Sequence, residues 1–300
     1  MYDLITFGDP CIDYVYAVDD PWRGGGKMLG RYLGAFAGGT CANVACAGSA
    51  FGLTAAIVGR CPSGSEGEVQ RSSLASFGVA QDLLAPVATE RGSHAVIAIG
   101  RDGEKSLIYS PLDGAFAEQA TIREALRHTR IGYCMAADFA HLSQAAQGTG
   151  AMIAADFDAA AGMLPGDFVV IRDQLDLIFI NEIGFAALLG VPPDASSLCD
   201  LIGPRAALAC CTGGGGVTWM IRRTDDGPVV VAVPALPAAV VDTTGAGDCF
   251  NAAFMAAYLQ GAAPEAALAR AMQAGALAVT RMGARGGFPR RAELDAAYPL

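Results

Sequence analysis

Positive charge is scarce in this chain: 20 Lys and Arg stand against 30 Asp and Glu, a formal balance of −10 over 300 residues. Nucleic-acid and anionic-membrane surfaces need clustered Lys and Arg to meet phosphates, so that balance argues against both as partners. Histidine is scarcer still. His94, His128 and His141 form no HExxH or other ligand spacing, which leaves a dedicated transition-metal site without support. The nine cysteines include no CxxC pair and read as reduced core thiols, with Cys210 and Cys211 on opposite faces of one strand. No apolar run reaches the ~20 residues that span a bilayer. Met1 to Phe7 lack the basic and apolar regions of a secretory signal, so the expected location is cytoplasmic. Two nucleotide-binding signatures are also missing. There is no GxxxxGK[ST] loop, and no GxGxxG follows the first strand, which counts against a dinucleotide-dependent oxidoreductase.

What the chain does have is 53% hydrophobic residues, much of it alanine, with 38 glycines and only 17% charged residues, the profile of a soluble globular protein. Strand and helix signals alternate. Leu4 to Phe7, Ala55 to Val58, Ala151 to Asp156 and Leu177 to Ile180 read as buried strands. Ala42 to Ala50, Gly67 to Phe77 and Phe185 to Leu189 read as helices between them. Such a series predicts an α/β fold with a doubly wound, mainly parallel sheet, and no linker divides residues 1–300. Two segments do not fit it. Tyr14 to Phe36 is interrupted by Gly24-Gly25-Gly26, and Ser93 to Tyr109 reads as a hairpin around Arg101-Asp102-Gly103-Glu104. Together they predict a small accessory β-sheet, the alternative being ordinary edge strands.

The run Val240-Val241-Asp242-Thr243-Thr244-Gly245-Ala246-Gly247-Asp248 reads as a strand and glycine turn entering a helix, with Phe250 and Phe254 as its buried stripe. The amides of Ala246, Gly247 and Asp248 then lie unpaired at the helix N-terminus, and glycines let an anion approach, which makes a phosphate-sized oxyanion site. A carboxylate there would repel a statically bound phosphate. It is useful as a base that takes a proton from an acceptor hydroxyl during phosphoryl transfer. Taken alone, Asp248 is equally well read as a helix cap.

Asp242 to Asp248 closely resembles the C-terminal signature of the ribokinase-like (PfkB) carbohydrate kinase family, and Gly38-Gly39-Thr40-Cys41-Ala42-Asn43 is similar to its N-terminal one. The likeness extends over nearly the whole chain. It implies Asp248 as catalytic base, Gly245, Ala246 and Gly247 as the anion hole, and Asp13, Gly38, Gly39 and Asn43 at the sugar. Cys211-Thr212-Gly213-Gly214-Gly215-Gly216 is similar to the nucleotide-side turn, which in the family begins with Thr. That places Cys211, Gly213 and Gly216 beside ATP, together with Thr243, Asn181 and the loop containing Arg281 and Gly283. The same resemblance implies Mg²⁺, leaves K⁺ open with Asp242 as its carboxylate, and makes segments 14–36 and 93–110 a lid through which subunits pair as a homodimer. One position departs from the pattern. In Asn181-Glu182-Ile183-Gly184, Gly184 stands where the N-x-x-E motif has the glutamate of the Mg²⁺ and phosphate network, leaving Glu182 as a substitute or the metal to water. Asp156-Phe157-Asp158 stands where the family often has Asp-x-Asn.

The function implied is ATP-dependent phosphorylation of a sugar or sugar-derivative hydroxyl, with ketohexoses favoured. A nucleoside kinase of the same family and a non-catalytic sugar-binding regulator are the alternatives. Lys27 and Arg31, in the expected lid, read either as solvated surface charges or as partners of an anionic substituent on the substrate.

Overall fold

Leu4 and Ile5 are adjacent and both fully buried, yet they belong to two different hydrophobic cores. Successive strand residues point to opposite faces, so this marks a central strand covered on both sides. Cys210 and Cys211 repeat the pattern, one in each core. Eight of the nine free cysteines are buried as expected, and Cys199 is the exposed exception.

The computed structural model describes residues 1–19, 27–101, 105–158 and 163–298. The first part of the chain runs β1 (Tyr2–Phe7), β2 (Cys11–Val18), β3 (Gly30–Gly38), α1 (Thr40–Ala50), β4 (Ala55–Pro62), α2 (Ser65–Phe77), β5 (Leu84–Val87), β6 (Ser93–Ile99) and β7 (Lys105–Ser110). The middle follows with α3 (Gln119–Arg127), β8 (Thr129–Met135), α4 (Phe139–Ala146), β9 (Met152–Asp156), α5 (Pro165–Arg172), β10 (Leu177–Asn181) and α6 (Glu182–Leu189). Last come β11 (Leu208–Thr212), β12 (Val217–Thr224), β13 (Gly227–Pro234), α7 (Ala246–Leu259), α8 (Pro264–Ala278) and α9 (Arg291–Ala297).

Nine strands form one sheet in the order β13-β12-β11-β10-β9-β8-β1-β4-β5. It is parallel from β11 to β5, and only β12 and β13 are antiparallel additions. Residues of α1, α7, α8 and α9 build the core on one face, while α3 to α6 build the other. Strand order reverses between β1 and β8, and at such a switch point the carboxyl ends of neighbouring strands diverge into a crevice. The expected mainly parallel, doubly wound sheet is therefore observed.

A separate four-stranded sheet, β3-β2-β6-β7, gathers the two segments that did not fit the β/α series. Gly24 to Gly26 and Asp102 to Glu104 lie outside the described residues. Within this sheet Asp13 pairs with Phe36 and Ala95, and Lys105 pairs with Ile99. By strand alternation Asp13, Ala95, Ile97, Ile99 and Lys105 share one face.

Helix boundaries shift where side chains or close contacts intervene. The helix expected from Phe185 begins at Glu182 because the Asn181 Oδ1 accepts from the Gly184 amide at 2.8 Å, a helix cap. Phe254, fully buried against the sheet and Phe179, anchors α7. Phe254→Ala is expected to lower unfolding free energy by about 3–5 kcal/mol, measured as a fall in the urea midpoint at unchanged slope.

Candidate active site

Two helices begin side by side at this crevice, each led by a glycine with a positive φ. Gly39 precedes α1 at φ 89°, and Gly245 precedes α7 at φ 78°. Neither position tolerates a side chain. A methyl group on Gly39 would press on the Cys11 backbone, and one on Gly245 would collide with the Ala284 carbonyl. A methyl group on Gly38 would meet the Asp13 carboxylate itself, so that glycine admits the acid into the crevice.

The two helices are joined through their first turns. Asn43 of α1 donates from Nδ2 to Asp248 Oδ2 of α7 at 2.7 Å. Behind it, the Asn43 Oδ1 accepts from Arg285 Nε at 2.8 Å. Arg285 also donates to the Gly38 carbonyl at 2.7 Å and the Ser73 hydroxyl at 2.8 Å. Arg285 is buried, and a buried guanidinium needs such acceptors on all sides. It went unnoticed in the sequence because a single Arg between Ala284 and Gly286 carries no periodic or motif signal.

Asp248 keeps part of its surface open to the crevice. Burial, aided by the charges of Asp156, Asp158 and Asp13, pushes its pKa up to about 8, against the lowering effect of the Asn43 bond. Asp156, beneath it, is pushed up to about 7 by burial and by Asp158. Its Oδ2 accepts from Asn251 Nδ2 at 2.6 Å and from the Tyr133 hydroxyl at 3.3 Å. Asp13 is raised to about 6 by burial, opposed by the Cys11 thiol and Arg285.

The α7 N-terminus differs from expectation in two details, the first being that Val240 and Val241 are exposed coil where a strand was expected. Second, the Ala246 amide is taken by the Thr243 carbonyl at 3.3 Å, so it is the Gly247 and Asp248 amides that have no backbone acceptor among the described residues. A methyl group on Gly247 would meet nothing within 4 Å, leaving room for a ligand.

The other residues singled out in the sequence have contacts of their own. Asp242 is buried, and its carboxylate accepts from Thr244, Gly283 and Lys105. Gly283, at φ 86°, brings its amide to 2.9 Å from Asp242 Oδ2. Gly213 and Gly216 form the turn between β11 and β12, closed by Gly216 N to Gly213 O at 2.7 Å. Cys211 is wholly buried in the core on the α3 to α6 side, so its thiol does not line that turn. Asn181 is engaged as a cap and donates from Nδ2 to Asp158 Oδ1 at 2.9 Å. Glu182 and Lys27 are exposed. Gly184 has a local cause: a methyl group there would collide with the Asp158 carbonyl, where Asp158 itself takes φ 40°. A glutamate at 184 has no place beside that turn.

A family model described as pfkB family carbohydrate kinase matches residues 1–291. The chain belongs to that family. Ribokinase from Bacillus subtilis is 27% identical over 98% of this chain and 99% of its own length. An ATP-dependent ribose-1-phosphate kinase from Halopiger xanaduensis is 31% identical over 95% of this chain and 94% of its own. Arabidopsis thaliana ribokinase, solved with ribose and ATP, superposes with a TM-score of 0.81 at 24% identity, covering 100% of this chain and 99% of that one. The protein is thus an ATP-dependent kinase of the ribokinase type. No helix among the described residues is long and apolar enough to cross a membrane.

The raised Asp248 has a stability signature. A carboxyl whose folded pKa lies above its unfolded value stabilises the fold at low pH and loses that contribution as pH rises through the folded pKa. Asp248→Asn, which cannot ionise, is expected to melt higher than wild type at pH 8, with the difference vanishing toward pH ~4. Melting curves across that range check it.

Proposed function

We propose that the chain phosphorylates a sugar hydroxyl from ATP, with Asp248 as general base and the Gly247 and Asp248 amides as the anion hole. The observation that carries this reading is the Asn43 to Asp248 bond, which aims one carboxylate at the mouth of two converging helix N-termini. Asp13, Gly38, Gly39 and Asn43 lie on the α1 side and form the sugar end. Gly213, Gly216, Thr243 and the Gly283 loop border the nucleotide end, and residues 1–300 act as one kinase domain.

In the reaction the acceptor hydroxyl lies within reach of Asp248, which takes its proton as the oxygen attacks the γ-phosphorus of ATP. The bond to the ADP oxygen breaks, and the two amides stabilise the equatorial oxygens of the transferring group. Asp248 must be ionised to act. Its raised pKa puts the acid limb of activity in the free enzyme near pH 8 rather than near pH 4.

Mg²⁺ suits the donor set. Asp158 raises Asp156, and both raise Asp248, a surplus of negative charge that a divalent ion held mainly by nucleotide phosphates would balance. Asp158, held by Asn181, and Glu182, exposed at the start of α6, are the carboxylates that would meet it. When bound, the ion neutralises phosphate charge.

The small sheet serves as the lid. Its outer face carries Tyr16, Val18, Val96 and Ile108 around an apolar groove of about 510 Å³, and Ile108 is 51% exposed. That face supports a homodimer through the lid. Nine unpaired cysteines support a reducing, cytoplasmic setting.

Ketohexoses remain the favoured substrates on the sequence reading, while the relatives carry ribose and ribose-1-phosphate in their names. Exposed Lys27 and Arg31 would serve an anionic sugar. ADP release should therefore be measured with Mg·ATP across ketohexoses, pentoses, sugar phosphates and nucleosides. A substrate-dependent signal lost by roughly 10³-fold or more in Asp248→Asn is the expected result. Nucleoside-only turnover would replace the sugar reading, and ligand binding without turnover would indicate a regulator. Ile108→Lys is expected to halve the solution mass seen by light scattering.

A further inference from the structure

Asp242 sits where the resemblance places a monovalent cation, and the structure places a lysine ammonium there. Lys105 Nζ lies 2.7 Å from Asp242 Oδ1 and 2.5 Å from Thr244 Oγ1. The same Oδ1 accepts from the Thr244 amide at 2.9 Å and the Thr244 hydroxyl at 2.7 Å, and Oδ2 accepts from the Gly283 amide at 2.9 Å. The pair is well enclosed, with the Asp242 side chain 5% exposed and that of Lys105 25%. Burial alone would raise the Asp242 pKa, yet Lys105, Thr244 and Gly283 together hold it below the ordinary carboxylate value. Three donors already meet Oδ1, one of them a full positive charge. The ammonium of Lys105 occupies the cation position at Oδ1.

Lys105 opens β7 and stands on the same face of the small sheet as Asp13. Asp242 and Thr244 belong to the loop that turns into α7, with Thr244 one residue before Gly245 and four before Asp248. Phe36, paired with Asp13 across β2 and β3, packs close to Gly283 from the same sheet. The two contacts attach the small sheet to both loops that frame the α7 N-terminus.

We propose that Lys105 is a tethered cation, a positioning residue that supplies from the small sheet the charge Asp242 would otherwise take from solution. It shapes the anion-hole loop only while the sheet is seated on the crevice, and it makes the enzyme independent of K⁺. This rests on the kinase reading for its catalytic part. Its electrostatic part does not. Removing the ammonium leaves a buried carboxylate uncompensated, which a small dissolved cation can then relieve.

The test compares wild type, Lys105→Ala, Lys105→Met and Lys105→Arg in KCl, methylammonium chloride and choline chloride at about 0.1 M, so that screening is equal. Melting temperature without substrate is one readout, and kcat and KM are the other. Wild type and Lys105→Arg are expected to show no preference among the salts. Lys105→Ala is expected to lose roughly 10- to 100-fold in kcat with smaller changes in KM. It should also melt lower in choline, and regain both in K⁺ or methylammonium. Lys105→Met, which fills the space without the charge, should show the same loss if Lys105→Ala fails to fold. Potassium dependence in the wild type, a Lys105→Met that behaves as wild type in choline, or a defect that no small cation relieves would each overturn the proposal. Absence of turnover in the wild type would count against the kinase reading and leave the melting comparison intact.

Discussion

The hydrogen bond from Asn43 to Asp248 ties together two helices through residues 205 apart in sequence, and the site exists because of it. Both helices need a glycine with a positive φ to begin where they do, and both glycines sit against backbone that no side chain could share. Arg285 then fixes Asn43 from behind. Its guanidinium fills a buried position that would be costly without Asn43, Ser73 and Gly38 as acceptors. The Asp248 carboxylate is thus held by a chain of directed contacts from α1, α2, the β3 end and the C-terminal loop.

Electrostatics in this crevice are arranged as opposed pairs. Asp248, Asp156 and Asp13 are all raised by burial, and each is restrained by a neutral donor or by Arg285. Asp242 is the contrasting case, held low by donors and a lysine. One carboxyl thereby holds its proton up to about pH 8, and another stays ionised and braces a loop. The difference follows from the donors that meet each, Asp242 taking hydrogen bonds from Lys105, Thr244 and Gly283 and Asp248 one from Asn43.

The β/α alternation was legible because buried parallel strands are short apolar runs between amphipathic helices, and the glycine runs before Asn43 and Asp248 mark helix starts that backbone geometry imposes. The accessory sheet was legible as two segments outside the series. Helix starts were less so: Asn181 caps α6 four residues ahead of the apolar stripe that announced it. That Cys210 and Cys211 face opposite ways was legible from strand alternation, while pairing decides which of them faces which layer. Gly184 became intelligible only beside the Asp158 carbonyl.

Sequence by itself determined the layer architecture, the two glycine-led helix entries and the identity of the acid at the second one, since these are local matters of period, turn and motif. Tertiary structure decided which charges stand next to which. Lys105 reaches Asp242 across 137 residues and Arg285 reaches Asn43 across 242, and nothing along the chain announces either contact. Their positions follow from strand register in the small sheet and from the path of the C-terminal loop, which the packing of distant elements sets.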